Sequence, residues 1–208
     1  MFKKISVLLF LFFSGNVAAI GIISPAYSDG GIIPNPFTYS FPGQCNGNNW
    51  SPPLNISDIP AGTQSLAIVM RDLTAPWLHW LAYNIPSNTT SLPYNASAAA
   101  AFPQAINDYS EPGYGGPCPP GGNHIYAITI YAVNTVFNAQ PTIQAIQAAS
   151  LESATLSGTR APGDNVPWNP NPNPPPPNPI PTLSEWAQIL MMLMMIGTVG
   201  WYSRKMTR

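Results

Sequence analysis

The sequence predicts a mainly β domain, a sheet sandwich with a short C-terminal helix, and one transmembrane helix after it. Three observations carry this. Residues 65–70, 79–85 and 124–133 are apolar runs of strand length, rich in β-branched and aromatic side chains. Glycine and proline punctuate the chain between them. A 17-residue apolar run, 186–202, follows a segment (162–181) in which ten of twenty residues are proline.

At 208 residues and 45% apolar content there is room for one cored domain plus appendages. Charge is scarce at 7%, and between residues 20 and 186 the only cations are Arg71 and Arg160, against eight carboxylates. A nucleic-acid groove needs clustered cations, so nucleic acid is excluded as a partner.

Residues 1–19 read as a signal peptide: Lys3 and Lys4, an apolar run over 5–13, then the small residues Val17, Ala18 and Ala19. An uncleaved anchor fits less well because the run is too short to span comfortably. Export makes an oxidised pair of Cys45 and Cys118 possible, and two buried thiols are the alternative.

Residues 32–41 are a first extended region, with turns at 60–62 and 86–88. The continuous apolar run 65–70 reads as a buried strand. Residues 71–76 form a turn with one carboxylate, Asp72, and the neighbouring Arg71 points away from it on an extended strand end. In the strand 77–86 the period of two puts His79, Leu81, Tyr83 and Ile85 on one face. Residues 97–110 are ambiguous: the alanines favour helix, while Pro103, Asn107, Asp108 and Tyr109 favour a loop that leads into the glycine-proline stretch. Over 114–120 five of seven residues are glycine or proline, which forbids helix and shapes a loop whose amides can line a concavity. The next strand puts His124, Tyr126 and Ile128 on one face. Thr142, Ile143, Ile146, Ala149 and Ser150 recur at helical spacing, predicting a helix over 141–157 behind a first-turn proline.

The segment 162–181 cannot pack a core and reads as a polyproline stalk of about 60 Å when extended. A docking site for a proline-recognition module is its rival. The run 186–202 sits at the short end of a membrane-spanning helix, with Trp186, Trp201 and Tyr202 as interfacial anchors and a basic tail kept inside.

Several separated motifs occur in an order that resembles the phosphatidylethanolamine-binding proteins (PEBP), closest to the bacterial, Raf-kinase-inhibitor-like branch. They are Asn48 to Leu54, Asp72 to Pro76, His79-Trp80 with Asn84-Ile85-Pro86, and Gly115 to Pro120 with His124 and Tyr126. The resemblance covers roughly residues 20–160, giving a PEBP-like domain at 20–161. It implies an antiparallel β-sandwich and a pocket for a small anion such as a phosphate group, built from Asp72, His79, Gly116, Pro117, His124 and Tyr126. It also brings the Cys45 loop near the Cys118 loop, implying a disulfide, and implies a cis bond before Pro76. Three positions depart from the family: Thr74 replaces a second aspartate, Ile125 replaces an arginine, and the turn between Pro76 and His79 is short. These departures imply an altered or partly closed pocket mouth.

The C-terminal end, 180–208, resembles the IPTL-type sorting signals of Gram-negative bacteria through Ile180, Pro181, Thr182, Leu183, Ser184 and Trp186, although Ala187 stands where glycine is more usual. The implied partners are the secretion machinery and an exosortase-like membrane protease that cuts near residues 181–184. The implied location is the envelope or surface of the cell. A plain membrane anchor is the competing reading.

No cofactor or metal is expected. Two histidines and an aspartate could make a metal triad, or a histidine could activate a serine, yet no H-x-E, H-E-x-x-H or G-x-S-x-G element is present. A ligand-binding protein rather than an enzyme is therefore expected. Its rival is a structural surface or matrix protein with a degenerate pocket, in which each histidine is simply a buried ring bonded to backbone. Asn-x-Ser/Thr sites at Asn55, Asn88 and Asn95 carry little weight in so asparagine-rich a chain.

Overall fold

The computed structural model describes residues 19–170. The expected signal peptide up to residue 18, the proline-rich segment beyond 170, the sorting motif and the apolar run 186–202 lie outside the described residues. Among the described residues no helix is long and apolar enough to cross a membrane.

Among the described residues ten strands form three sheets. The largest contains β2 (Gly31–Ile32), β6 (Ser65–Asp72), β7 (Trp77–Pro86), β9 (His124–Val133) and β10 (Ser150–Arg160) in the order β2-β10-β9-β6-β7. All its pairings are antiparallel except that of β2 with β10. A smaller antiparallel sheet joins β1 (Gly21–Ile23), β5 (Leu54–Ser57) and β8 (Ser91–Leu92), and β3 (Ser40–Phe41) pairs with β4 (Cys45–Asn46) as a separate hairpin.

The apolar run of β6 has no exposed residue until Arg71 because both faces of the central strand are covered. On one side Leu66, Ile68 and Met70 join Trp80, Tyr126, Ile128 and Leu156, and pack against Ile22, Leu54, Ile56 and Leu92 of the smaller sheet. On the other, Ala67, Val69, Leu81 and Val133 lie beneath Ile146 of the helix α1 (Ile143–Ala148) and Ala105 of the preceding loop. This is a sandwich with a helix laid over one outer face.

The structure corrects several expectations. The helix predicted over 141–157 stops at Ala148, and Ser150–Arg160 is the longest strand of the sheet. Thr142 caps the helix by accepting the Ala145 N–H at 3.1 Å. From Leu151 onward alternate residues point outward while Leu156, Gly158 and Arg160 are buried, so a period of two prevails and the ladder to β9 runs from Val133 back to His124. Only the first part of that segment repeats at helical spacing.

The single inward face predicted for β7 is broken. Met70 pairs with Trp80 and Arg71 with Leu78, so His79 is an extra residue in the strand. This bulge lets His79 share the side of its neighbour Trp80, while Leu81 belongs to the opposite face. A second irregularity falls at Asn84, whose φ is +53°. Its side chain clamps Phe137 by donating to the carbonyl at 2.8 Å and accepting the N–H at 2.8 Å.

Residues 97–110 contain no helix. Their backbone runs along β7, with Ala105 N–H on Leu81 O at 2.9 Å and Tyr83 N–H on Pro103 O at 3.1 Å. The extended region 32–41 is interrupted by a 3-10 turn at Asn35–Phe37. The peptide before Pro76 is trans, not cis. The chain reverses there on Asp72, whose Oδ1 accepts the N–H groups of Thr74 (2.7 Å) and Ala75 (3.1 Å), and Trp77 N–H then bonds Ala75 O at 2.7 Å.

The proline-rich segment does not leave the domain at 162. Asn35 and Val166 exchange backbone and side-chain hydrogen bonds, and the Trp168 ring packs 4.8 Å from Phe37 and 5.5 Å from Tyr94. One tryptophan and a paired backbone are enough to hold this stretch down despite its prolines.

Candidate functional site: a hollow between two histidines

The ends of β6 and β9 lie side by side, with Asp72 opposite Tyr126 in the ladder. Asp72 Oδ2 is 2.5 Å from His124 Nδ1. Because Oδ1 already holds the turn, both carboxylate oxygens are engaged. A ring held through Nδ1–H keeps Nε2 as its one remaining polar atom.

His79 is buried and arrives from the bulge of β7. Its Nδ1 lies 2.6 Å from Gly115 O, and since a carbonyl only accepts, Nδ1 carries the proton. Gly115 N–H returns a bond to His79 O at 2.8 Å, so the glycine-proline loop is locked to the bulge at two points. Burial pushes the His79 pKa below the usual imidazole value, outweighing the Gly115 and Asp72 interactions that favour the charged form. The ring is therefore neutral near pH 7, with Nε2 an acceptor. Its ring stands in T-shaped contact with Tyr126 and Tyr109, with centroids 5.1 Å and 5.7 Å apart.

Between these groups is a hollow of about 320 Å³. Asp72, His79, His124 and Tyr126, four of the six residues expected at the site, line it together. Burial first, then the Asp72 charge and hydrogen bond, raise the Tyr126 hydroxyl pKa, so it remains a donor.

Gly116 and Pro117 do not line the hollow. Gly116 N–H is taken by Asn49 Oδ1 at 2.7 Å, and a Cβ at this residue would come within 2.5 Å of the backbone at Phe37, Thr38 and Tyr39. Pro117 O accepts Tyr39 N–H at 3.1 Å. Both residues bind the loop to the 37–39 segment behind the wall, where only a residue without a side chain permits so close an approach.

Sequence reasoning missed Trp77, Tyr109 and Gln44 in the wall. Tyr109 stacks on Tyr39 with centroids 4.0 Å apart, makes a T-shaped contact with Trp77 at a centroid distance of 5.5 Å, and donates its hydroxyl to Gly116 O at 3.1 Å. Position 109 falls in the ambiguous loop, so only its approach to the glycine-proline stretch pointed here. Cys45 and Cys118 form the implied disulfide, with a Cα–Cα distance of 5.8 Å, and so pin β4 against the pocket loop. Cys118, Pro119 and Pro120 form the adjacent wall.

Two of the departures from the family pattern meet each other. Thr74 Oγ1 accepts Ile125 N–H at 3.0 Å, and Leu73 N–H donates to Ile125 O at 2.7 Å. They tie the 72–76 turn to the start of β9 at the mouth of the hollow. Arg71 is exposed and absent from the lining. Among the described residues no group of three or more His, Cys, Asp or Glu side chains has a metal-binding arrangement.

Residues 23–161 match the phosphatidylethanolamine-binding protein family, and residues 178–206 match the IPTL-CTERM motif. The chain is 37% identical over 146 residues to a UPF0098 protein of Methanothermobacter thermautotrophicus, covering 64% of this chain and 93% of the relative. It is 36% identical over 142 residues to UPF0098 protein YbcL of Escherichia coli, covering 62% and 77%. The crystal structure of E. coli YbcL, described as a new member of the mammalian PEBP family, aligns with a TM-score of 0.64 at 27% identity, covering 69% of this chain and 99% of that one. A PEBP homolog from Chlamydia trachomatis aligns with a TM-score of 0.60 at 30% identity, covering 68% and 97%. With a family match from residue 23 to 161 and the same fold in these relatives, this chain belongs to the phosphatidylethanolamine-binding protein family, in the bacterial branch that includes YbcL, and carries an IPTL-CTERM motif at its C-terminal end.

Proposed function

We propose that this protein is an exported, non-catalytic binding protein whose PEBP domain holds a small anionic ligand, of the phosphate or phospholipid head-group type, between His79 and His124. The observation that carries this reading is the convergence of Asp72, His79, His124 and Tyr126 on one open hollow. A His124 ring fixed through Nδ1 by Asp72 donates from Nε2 to an oxyanion when protonated, while Tyr126, whose single hydroxyl hydrogen is turned to Asp72, supports the carboxylate and contributes its ring to the wall. Neutral His79 accepts an acidic ligand hydrogen, and Asp72 with the surrounding aromatic wall favours an amine on the same ligand. With Asp72 and both Nδ1 atoms committed to positioning bonds and no serine hydroxyl in the lining, recognition suits the arrangement better than covalent catalysis.

The IPTL-CTERM match supports the second half of the proposal: secretion, passage through the membrane by the 186–202 segment, cleavage by an exosortase-like protease, and delivery to the envelope or surface of a Gram-negative cell. Calorimetric titration of the exported protein with phosphate and with phosphoethanolamine, wild type against His124→Ala, tests the binding half. Binding lost in the variant supports it, and equal binding by the two proteins removes the site. Cell fractionation with and without residues 180–208 tests the sorting half, where an unchanged location counts against it.

A further inference from the structure

We infer that a second oxyanion site, separate from the hollow between the histidines, is built around Arg160. A polar cavity of about 400 Å³ lies next to that hollow and shares Gln44 and Pro119 with it as a partition. Its lining includes Asn35, Thr38, Asn46, Arg160 and Asn165.

The guanidinium is the reason to assign it a charged ligand. Arg160 is 91% buried by its 9% exposure. Buried charges are normally paired with an opposite charge, because desolvation costs more than neutral hydrogen bonds return. Here Nη1 donates to Ile33 O (2.8 Å), and Nη2 donates to Asn35 Oδ1 (2.9 Å) and Asp164 O (2.6 Å), all of them neutral acceptors. Among the described residues the one ion pair is Asp72 with His124. Asp164 also borders the cavity and its charge favours the protonated guanidinium, but its carboxylate makes no direct ion pair with Arg160, and Oδ2 accepts the Ala161 N–H at 2.7 Å. The three bonds leave Nε–H and one Nη1–H without a protein acceptor among the described residues. These two N–H groups lie on different edges of the guanidinium, so each can donate singly to an oxygen of a phosphate, sulfate or carboxylate in the polar space that Arg160 lines.

The amides around it complete the set. Asn46 and Gln44 supply uncharged N–H donors at the rim, and the Asn35 amide, held by Arg160, Val166 and Asn165, is fixed in orientation. In the β9–β10 ladder Arg160 stands directly opposite His124, so the two side chains leave the same face of the sheet on neighbouring strands. A ligand with two anionic groups could reach both sites, though the Arg160 site does not require it.

Following the Arg160 Nε–H and the His124 ring nitrogens by 15N NMR, during titration of the exported protein with sodium phosphate, tests this assignment. In the His124→Ala protein phosphate is expected still to shift the Arg160 Nε–H resonance. Arg160→Gln, checked for folding by circular dichroism, should lose the weaker of two phosphate sites. If that variant does not fold, Asn46→Asp serves instead: it adds a carboxylate at the exposed rim without touching the bonds of Arg160, and should weaken the response at Nε several-fold. An Nε–H resonance that phosphate leaves unmoved in both wild type and His124→Ala overturns the proposal. So does an equal response in Asn46→Asp, or a shift produced equally by a neutral polyol such as glycerol.

Discussion

Asp72 Oδ2 lies 2.5 Å from His124 Nδ1, joining the last residue of β6 to the first residue of β9. The same carboxylate caps the 72–75 turn through its other oxygen, so one side chain fixes both the imidazole and the loop at the mouth of the hollow. Asp72→Ala removes the acceptor for three N–H groups at once. A loss of about 2–3 kcal/mol in urea unfolding is expected. Asp72→Asn keeps a turn acceptor and should cost less, while weakening ligand binding through the misplaced His124 ring.

His79 gives the domain a sensitivity to acid. Its folded pKa lies below the ordinary 6.5, so the unfolded chain binds the proton more readily. The stability from the neutral ring is fully present above about pH 6.5 and is lost as the pH falls below it. Unfolding midpoints measured between pH 7.5 and pH 5 in a His124→Gln background should decline with acid, which removes the other imidazole from the comparison. Adding His79→Gln should flatten that decline.

How much of this was legible in the sequence depended on how local the signal was. The runs at 65–70 and 124–133 became central strands and 77–86 the edge strand beside them, because apolar length specifies burial. Asp72, His124 and Tyr126 were readable as strand ends next to a shaped loop. His79 was placed at the site through motif order, but on a regular strand face. The bulge that turns it inward arises from the register against Met70 and Arg71, which one strand's pattern does not record. Gly116 was singled out correctly as a special position, yet its reason is a backbone packed behind it rather than an amide facing a ligand. Arg160 was hidden by the helical pattern upstream, since a residue assigned beyond a helix has no reason to sit beside His124.

Gly116→Ala follows from that packing. A methyl group at 2.5 Å from three backbone atoms forces the 37–39 segment or the pocket loop to move. A destabilisation of about 1–3 kcal/mol is expected by chemical denaturation, together with weaker ligand binding.

The disulfide closes a loop with a sequence separation of 73. Replacing Cys45 and Cys118 together by serine should cost about 4 kcal/mol by chain entropy. Reducing agent should destabilise the wild type by a comparable amount and leave the double variant unchanged, as compared by urea titration.

Trp168 extends the folded unit past residue 161. A chain ended after 161 should unfold at lower denaturant than one ended after 170, and Trp168→Ala should reproduce part of the difference, about 1 kcal/mol given its contacts with Phe37 and Tyr94.

The most direct test of the binding site follows the ring nitrogens of His79 and His124 by 15N NMR while phosphoethanolamine is added. The account predicts that Nε2 of both rings shifts along one binding curve while the bonded Nδ1 atoms move little. Saturation of the protein with ligand while both Nε2 signals stay in place would contradict it.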